Sequence, residues 1–295
     1  MLAIVGSALV LASVLGSFMM EGGSLLLLWH PSEFIIILGA ALGAFLTSSP
    51  LKVVKGSFSA SIGLMKGPKY RRSDYLDLLK LLYDILVKIR KSGMLAIEAD
   101  VEAPAKSKLF TEYPRILADH HMIEFITDCL RLIIGGNLDP HELESLLEYE
   151  LETHHTEAAE PGHAVQKVAD ALPGFGIVAA VLGIVNTMAA IDGADTATIG
   201  KKVGAALVGT FLGILVAYGF VGPIAAAIEN RAHEEGKAFE VVKMALVASV
   251  RGYAPPVAVE FARKLLWSDV RPTFADLETH LKGKKKEPQA ESAAA

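Results

Sequence analysis

Two long apolar arms in the second half of the chain most constrain what it can fold into. They run from Leu172 to Ile191 and from Val203 to Ile228, and neither contains an Asp, Glu, Lys, Arg or His side chain. About 20 helical residues, rising ~1.5 Å each, span the ~30 Å hydrocarbon core of a bilayer. Each arm is therefore long enough to cross a membrane, and together they predict a transmembrane hairpin.

The second arm carries a stripe of small residues on one helical face. They recur every four positions, at Ala205, Gly209, Gly213 and Ala217. Small residues let two helix backbones approach closely, which is how helices associate in lipid. The stripe therefore predicts packing against another helix. That helix belongs either to the same chain, to a second copy or to a partner.

Two more apolar runs lie at the start of the chain, at residues 2–20 and 34–51. The second contains Gly39 and Gly43, a G-x-x-x-G pattern that favours helix packing in lipid. No Lys or Arg precedes the first run and no A-x-A site follows it, so we expect it to stay as a helix. The fold class predicted is an all-α polytopic membrane protein with four transmembrane helices and a helical cytoplasmic domain.

The charges that follow the second run predict the orientation. Six basic residues come within about twenty positions of it, at Lys52, Lys55, Lys66, Lys69, Arg71 and Arg72. Loops that stay in the cytoplasm carry such an excess, so both termini are expected in the cytoplasm. Lys201 and Lys202, in the predicted outer loop, oppose this assignment, but they are outnumbered.

The same pattern predicts the domain organisation. Residues 1–51 hold the first two crossings and a short periplasmic loop, and residues 52–171 form a helical cytoplasmic domain. Residues 172–228 hold the third and fourth crossings, 229–282 a cytoplasmic helical region, and 283–295 a disordered, low-complexity tail.

Several functional classes are excluded by composition and motifs. The net charge of −5 gives no basic field for nucleic acid, and a single cysteine excludes an intrachain disulfide. His120, His121 and Glu124 have i, i+4 spacing, but no H-E-x-x-H or Cys/His pattern of a metal site occurs, so we interpret them as solvated side chains. No phosphate-binding or nucleophile motif is present either. We therefore expect no metal, no cofactor and no enzymatic activity.

The four apolar runs also lack an acid, and this absence is informative. A carrier of protons or sodium normally keeps a carboxylate within the membrane. Either the chain moves no ions and anchors a cytoplasmic domain, or a partner helix supplies the acid.

Long motifs match a known family. The runs PGFGIVAAVLGIVNTMAAID, VGAALVGTFLGILVAYGF, GYAPPVAVEFARK and RPTF resemble the MotA family of flagellar motor stator subunits, within the MotA/TolQ/ExbB proton channel superfamily. The likeness covers nearly the whole chain. It implies a ring of identical subunits around MotB-like single-span chains that supply the membrane aspartate.

The resemblance also assigns roles to single residues. Arg90 and Glu98 match the charged pair that faces the rotor protein FliG. Pro173 and Pro223 match two prolines thought to couple ion passage to conformational change, and Thr210 matches a threonine near the ion path. Ala180 falls where sodium-driven relatives carry threonine, which implies a proton-driven motor.

Two other functions stay open at this point. One is an energiser of a cell-envelope partner like ExbB or TolQ, and the other is a passive membrane scaffold without conduction. A neighbouring gene for a single-span protein with a peptidoglycan-binding domain would favour the stator. Proton flux in vesicles holding both subunits would exclude the scaffold.

Overall fold

The structure is a computed structural model that describes residues 2–136, 139–189 and 195–282, and every regular element in these ranges is helical. The α-helices are α1 (Leu2–Met20), α2 (Pro31–Ser48), α3 (Leu51–Gly63), α4 (Arg72–Ser92), α5 (Glu98–Glu102), α6 (Lys108–Thr111), α7 (Pro114–Leu117), α8 (His120–Ile134), α9 (Pro140–Ala189), α10 (Thr196–Val216), α11 (Gly222–Val250), α12 (Pro255–Lys264) and α13 (Phe274–Leu281). The predicted disordered tail at residues 283–295 lies outside the described residues.

The chain divides into two compact units. The membrane unit comprises Met1–Gly67 and Thr156–His233, and the head unit comprises Pro68–His155 and Glu234–Ala295. One division, between Gly67 and Pro68, lies between helices, and the other two fall inside α9 and α11, so each of these two helices contributes residues to both units.

Three helical stretches are long and apolar enough to cross a membrane: Leu25–Ser48, Pro140–Ala189 and Thr196–Val250. The first helix adds a shorter apolar stretch, Ile4–Met20. The prediction of an all-α polytopic membrane protein is confirmed. The count of four crossings fits these helices and stays a prediction.

A small apolar core lies between α2, α9 and α10 in the membrane unit. Its buried residues are Ile37, Ala41, Leu172, Ala179, Val208, Leu212 and Ala217. Other apolar side chains of α2, such as Ile35 and Leu42, point outward and are exposed. Lipid tails are as apolar as leucine, so burial of apolar area does not by itself drive helices together in a bilayer.

Polar contacts join further helices of the membrane unit. The Ser57 hydroxyl on α3 lies 3.2 Å from the carbonyl oxygen of Pro161 on α9. The His163 ring, also on α9, lies 3.0 Å from the carboxylate of Glu229 on α11. These contacts join α3 and α11 to the part of α9 that lies just after its entry into the membrane unit.

The head unit has a larger core made of bulky side chains. Helix α4 contributes Tyr75, Leu78, Leu79, Leu82, Ile85 and Leu86, all nearly inaccessible to solvent. This is the 3.6-residue apolar spacing that predicts an amphipathic helix over this part of the sequence. Helices α8, α9, α11 and α12 supply most of the remaining core, for example Ile126, Leu147, Leu246 and Val259.

Candidate functional site

The predicted ion-path and packing residues lie around the crossing of α9 and α10. A Cβ atom on Gly176 would lie 2.9 Å from the backbone oxygen of Gly209. A Cβ atom on Gly213 would lie 2.8 Å from the backbone oxygen of Leu172. Real side chains do not approach backbone oxygens this closely, so the two helices meet backbone to backbone. Glycine is needed at these positions for space.

The rest of the small-residue stripe continues this contact. Ala217 is fully buried and Ala205 is half-buried. The adjacent Ala206 makes a closer contact than Ala205, because a Cβ atom on Gly183 would lie 2.7 Å from the Ala206 Cβ. The stripe of α10 therefore packs on α9 of the same chain.

The other predicted packing pair has a different environment. Gly39 and Gly43 on α2 are exposed, and a Cβ atom at either position would meet no atom within 4 Å. The G-x-x-x-G face of α2 therefore has no neighbour within the described part of this chain.

A carboxylate that sequence reasoning missed lies beside the α9–α10 crossing. Glu33 on α2 is only 6% exposed, and its Oε2 atom has no hydrogen-bond partner in the described part of the chain. A Cβ atom on Gly209 would lie 2.6 Å from that oxygen and 3.0 Å from the Ala179 Cβ. The missing side chain at position 209 thus makes room for the carboxylate.

Hydropathy does not identify Glu33, because it places the start of the helix after this residue. The sequence placed the apolar run at residues 34–51, but α2 begins at Pro31 and the candidate span covers Leu25–Ser48. The statement that the crossings hold no ionisable group therefore does not extend to this span. A usable signal was Pro31, because proline favours the first helical position and puts Glu33 in the first turn.

Thr210 and Ala180 lie at the same level of the hairpin. The Ala180 backbone nitrogen is 3.3 Å from the Cβ position on Gly209, and the Cα atom of Thr210 is 3.3 Å from the Cβ position on Gly176. Thr187 donates its hydroxyl to the preceding turn at Gly183 (2.8 Å). Thr210 makes no such bond within the described residues. The structure thus brings Thr210, Ala180 and Glu33 close to one glycine contact.

The two predicted coupling prolines lie in long helical stretches. Pro173 lies inside the 50-residue α9, where Pro161 is a further interior proline. Before Pro223 the backbone forms a π-helical turn over Ala217–Val221, and α11 then begins at Gly222. Proline lacks an N–H and its ring crowds the carbonyl four residues earlier, so a widened turn relieves that crowding. The hairpin therefore has a π-helical turn just before Pro223, whereas α9 continues through Pro173 as an α-helix.

The predicted rotor-contact pair lies in the head unit. Arg90 is in the last turn of α4 and Glu98 is the first residue of α5, and both are exposed. Gly93 ends α4 with a positive φ of 82°, a conformation that favours glycine. Neither charged side chain forms an ion pair or hydrogen bond within the described residues. Both charges are therefore available to an external partner.

Other titratable groups of the head unit have structural surroundings. Burial raises the pKa of the Cys129 thiol, so it stays a neutral core side chain instead of a reactive thiolate. The guanidinium of Arg263 donates to both carboxylate oxygens of Glu260 and holds the pKa of that carboxyl below its usual value. No group of three or more potential metal ligands occurs among the residues that the structure describes.

Comparisons with known proteins agree along the chain. Residues 4–93 match the family model described as Motility protein A N-terminal, and residues 118–241 match that of the MotA/TolQ/ExbB proton channel family. The chain is 46% identical to Motility protein A of Salmonella typhimurium strain LT2, over 96% of this chain and 95% of that protein. It is 45% identical to Motility protein A of Escherichia coli strain K12, over 97% of this chain and 96% of that protein.

A solved structure shares the fold. The structure of C. jejuni MotAB superposes with a TM-score of 0.72 at 20% identity, covering 90% of this chain and 96% of that one. Because the curated relatives are 45–46% identical over nearly their whole length, the chain belongs to the motility protein A family, the flagellar stator branch of the MotA/TolQ/ExbB proton channel family.

Proposed function

We propose that this multi-pass inner-membrane stator subunit conducts protons together with a MotB-like single-span chain and converts the flow into torque on the rotor. One observation carries the proposal, namely the identity of 46% to a Motility protein A over 96% of the chain. The match to the Motility protein A N-terminal family over residues 4–93 favours this function over an ExbB- or TolQ-like energiser.

The partner chain supplies the aspartate on which the proton rides. The apolar arms of the hairpin hold no Asp, Glu, Lys, Arg or His, so the ion needs a group from elsewhere. Several copies of this chain surround the partner helices as a ring. Ala180 in place of a hydroxyl-bearing residue supports protons over sodium, because sodium prefers oxygen ligands.

The energy of each proton suits a mechanical step. One charge falling through ~100 mV releases about 2.3 kcal/mol. Neutralising the partner's carboxylate removes its need for polar surroundings and changes how helices pack around it. Pro173 and Pro223 allow the hairpin to bend in response, and α9 and α11 continue from the membrane unit into residues of the head unit.

The head unit delivers the force through charge. Arg90 and Glu98 are exposed and unpaired in the described chain, and they face opposite charges on a FliG-like rotor protein. Exposed ion pairs are worth only ~0–1 kcal/mol, which suits a contact that forms and breaks at each step. Both termini lie in the cytoplasm in this scheme, and the protein acts as a channel and motor rather than as an enzyme.

Proton flux in vesicles tests the proposal. The chain is reconstituted alone, with a MotB-like partner, and with that partner carrying Asn for its membrane aspartate. Flux is expected only with the intact partner, since the conducting acid resides there. A proton current from this chain alone, or no dependence on the partner's aspartate, would contradict the mechanism.

A further inference from the structure

The carboxylate of Glu33 has no structural role that explains its position. It is buried in the membrane unit, and its Oε2 oxygen accepts no hydrogen bond from any residue that the structure describes. Leaving a buried polar group without a partner costs free energy, and a buried unpaired charge costs much more. A hydrophobic residue of similar size would remove that cost. A group kept at such a cost inside a membrane protein points to a function.

The surroundings of the carboxylate contain little charge. A Cβ atom on Gly209 of α10 would lie 2.6 Å from the carboxylate, and the residues of α9 next to that Cβ position are Ala179 and Ala180. None of these three residues is titratable. The titratable group whose charge acts on Glu33 is His30, at the residue preceding α2. No lysine or arginine is close enough to form an ion pair with Glu33 within the described residues. The site therefore offers no permanent counter-charge, and the carboxyl is neutral once it has bound a proton.

The position of the carboxylate matches the predicted path of the ion. Glu33 lies against Gly209, whose neighbour Thr210 and facing residue Ala180 are predicted to line that path. Helix α2 begins close to Glu33, and its far end leads into the basic segment that starts at Lys52. With that basic segment in the cytoplasm, Glu33 lies towards the outer side of the membrane unit.

We propose that Glu33 is a proton-binding group of the channel, which loads a proton from the outer side and passes it towards the acid of the partner chain. Its carboxylate oxygen forms an O–H bond with the incoming proton and becomes a neutral acid. The O–H bond then breaks as the proton moves to a water molecule or to the partner's carboxylate, and Glu33 regains its charge. The inference rests on the proposed function and adds a residue of this chain to its path.

Gly209 has a specific part in this arrangement. A side chain at position 209 would occupy the space of Oε2, since its Cβ would lie 2.6 Å from that atom. The glycine therefore allows the carboxyl group to reach the level of Thr210.

Three variants of the full complex with its partner test the inference. Glu33→Gln keeps the size of the side chain but cannot bind and release a proton, and Glu33→Asp still can. Glu21→Gln is the matched control, because this glutamate is exposed in the loop before α2. Proton flux in vesicles is measured against the pH on the outer side, with complex size by gel filtration as the check on assembly.

We expect Glu33→Gln to lower flux by about tenfold or more with assembly unchanged, in line with the loss of one positioned proton-transfer group. Glu33→Asp should conduct with a shifted dependence on outer pH, and Glu21→Gln should match the wild type. Equal flux in Glu33→Gln and wild type would overturn the inference while leaving the channel itself intact. No flux in the wild-type complex would instead overturn the proposed function.

If Glu33→Gln fails to assemble, Glu33→Asp decides. A pH profile identical to that of the wild type would show that the group at position 33 does not titrate during transport. A shifted profile would support the proton-binding role, because a purely structural carboxylate would not move the pH dependence.

Discussion

The membrane unit and the head unit are held together in different ways. In the membrane unit, α9 and α10 touch through glycines, with Cβ positions less than 3 Å from the opposing backbone at Gly176 and Gly213. In the head unit, bulky side chains such as Leu79, Leu82 and Ile126 fill a core that solvent does not reach. The membrane unit therefore depends on glycines, which have no side chain, and the head unit depends on bulky apolar side chains.

The difference follows from the solvent of each unit. Water makes burial of apolar area favourable, at roughly 25 cal/mol per Å², so the head unit gains stability from large side chains. Lipid offers no such gain, so helices in the membrane unit associate through close backbone contact. The two tryptophans allow the comparison to be measured, because Trp29 lies in the membrane unit and Trp267 in the head unit.

The largest loss of stability is expected from Leu82→Ala in the head unit. Leu82 is fully buried, and deleting a buried leucine side chain costs about 2–5 kcal/mol through lost transfer energy and a residual cavity. In a Trp29→Phe background, the thermal midpoint reported by Trp267 fluorescence should fall clearly.

The matched control is Leu95→Ala, since Leu95 is 73% exposed in the same unit. Its midpoint should stay near that of the parent. Equal losses in the two variants would mean that burial in this core does not determine the stability of the head unit.

A smaller loss is expected from Gly213→Ala in the membrane unit. The added methyl would meet the Leu172 backbone oxygen at 2.8 Å, and overpacking of this kind typically costs about 1–3 kcal/mol. In a Trp267→Phe background, Trp29 fluorescence should report a lower midpoint in detergent. Gly39→Ala is the control, because nothing lies within 4 Å of its Cβ position. A harmless Gly213→Ala would contradict backbone contact as the basis of the hairpin.

A pH-dependent effect of about 1 kcal/mol or less is expected at Glu260. Arg263 donates two hydrogen bonds to this carboxylate and lowers its pKa in the folded state. A lowered folded pKa gives stability that is present above the unfolded value of about 4.3 and lost as pH falls through the folded value. The head-unit midpoint should therefore fall between pH 5 and about pH 3 less steeply in Glu260→Gln than in the wild type.

Glu112→Gln is the control for that titration, since Glu112 is exposed in the same unit. It should retain the acid sensitivity of the wild type. An unchanged slope in Glu260→Gln would show that the Arg263 contact does not contribute to stability in acid.

Sequence reasoning succeeded where one periodicity decides the structure. The apolar spacing over Tyr75–Ile89 predicted α4, and the uncharged arms predicted the hairpin of α9 and α10. The sequence pattern does not tell which face of small residues packs against another helix of the same chain. Gly209 contacts α9, whereas the Cβ position on Gly39 has no atom within 4 Å among the described residues, although both glycines stand in similar patterns. That choice depends on tertiary contacts, which the pattern does not contain.

The start of α2 shows a second limit of pattern reading. Hydropathy falls at Glu33, so the apolar run begins only after this residue, although the helix itself begins at Pro31. Helix bounds depend on backbone hydrogen bonds and on the first-turn proline rather than on hydropathy. Hydropathy alone therefore places this buried carboxylate in the loop before α2 and does not mark it as a candidate site residue.

Reversing the charge of Arg90 or Glu98 should have the smallest effect on stability and a large effect on motility. Both side chains are exposed and unpaired in the described chain, and surface substitutions usually change stability by less than about 0.5 kcal/mol. Arg90→Glu and Glu98→Lys should thus leave the Trp267 midpoint and the proton flux near wild-type values. Swimming should slow, because like charges would then oppose each other at the rotor.

A charge reversal on the rotor protein tests whether Arg90 forms an ion pair with it. If Arg90→Glu slows swimming through a lost ion pair, a rotor variant with the opposite change should restore part of the speed, and Lys91→Glu should serve as a neighbouring control. A lower midpoint in Arg90→Glu would instead place this residue among the structural contacts of the head unit. Stability and motility would then fall together, and the turn around Gly93 would belong to the fold of the head unit rather than to its contact with the rotor.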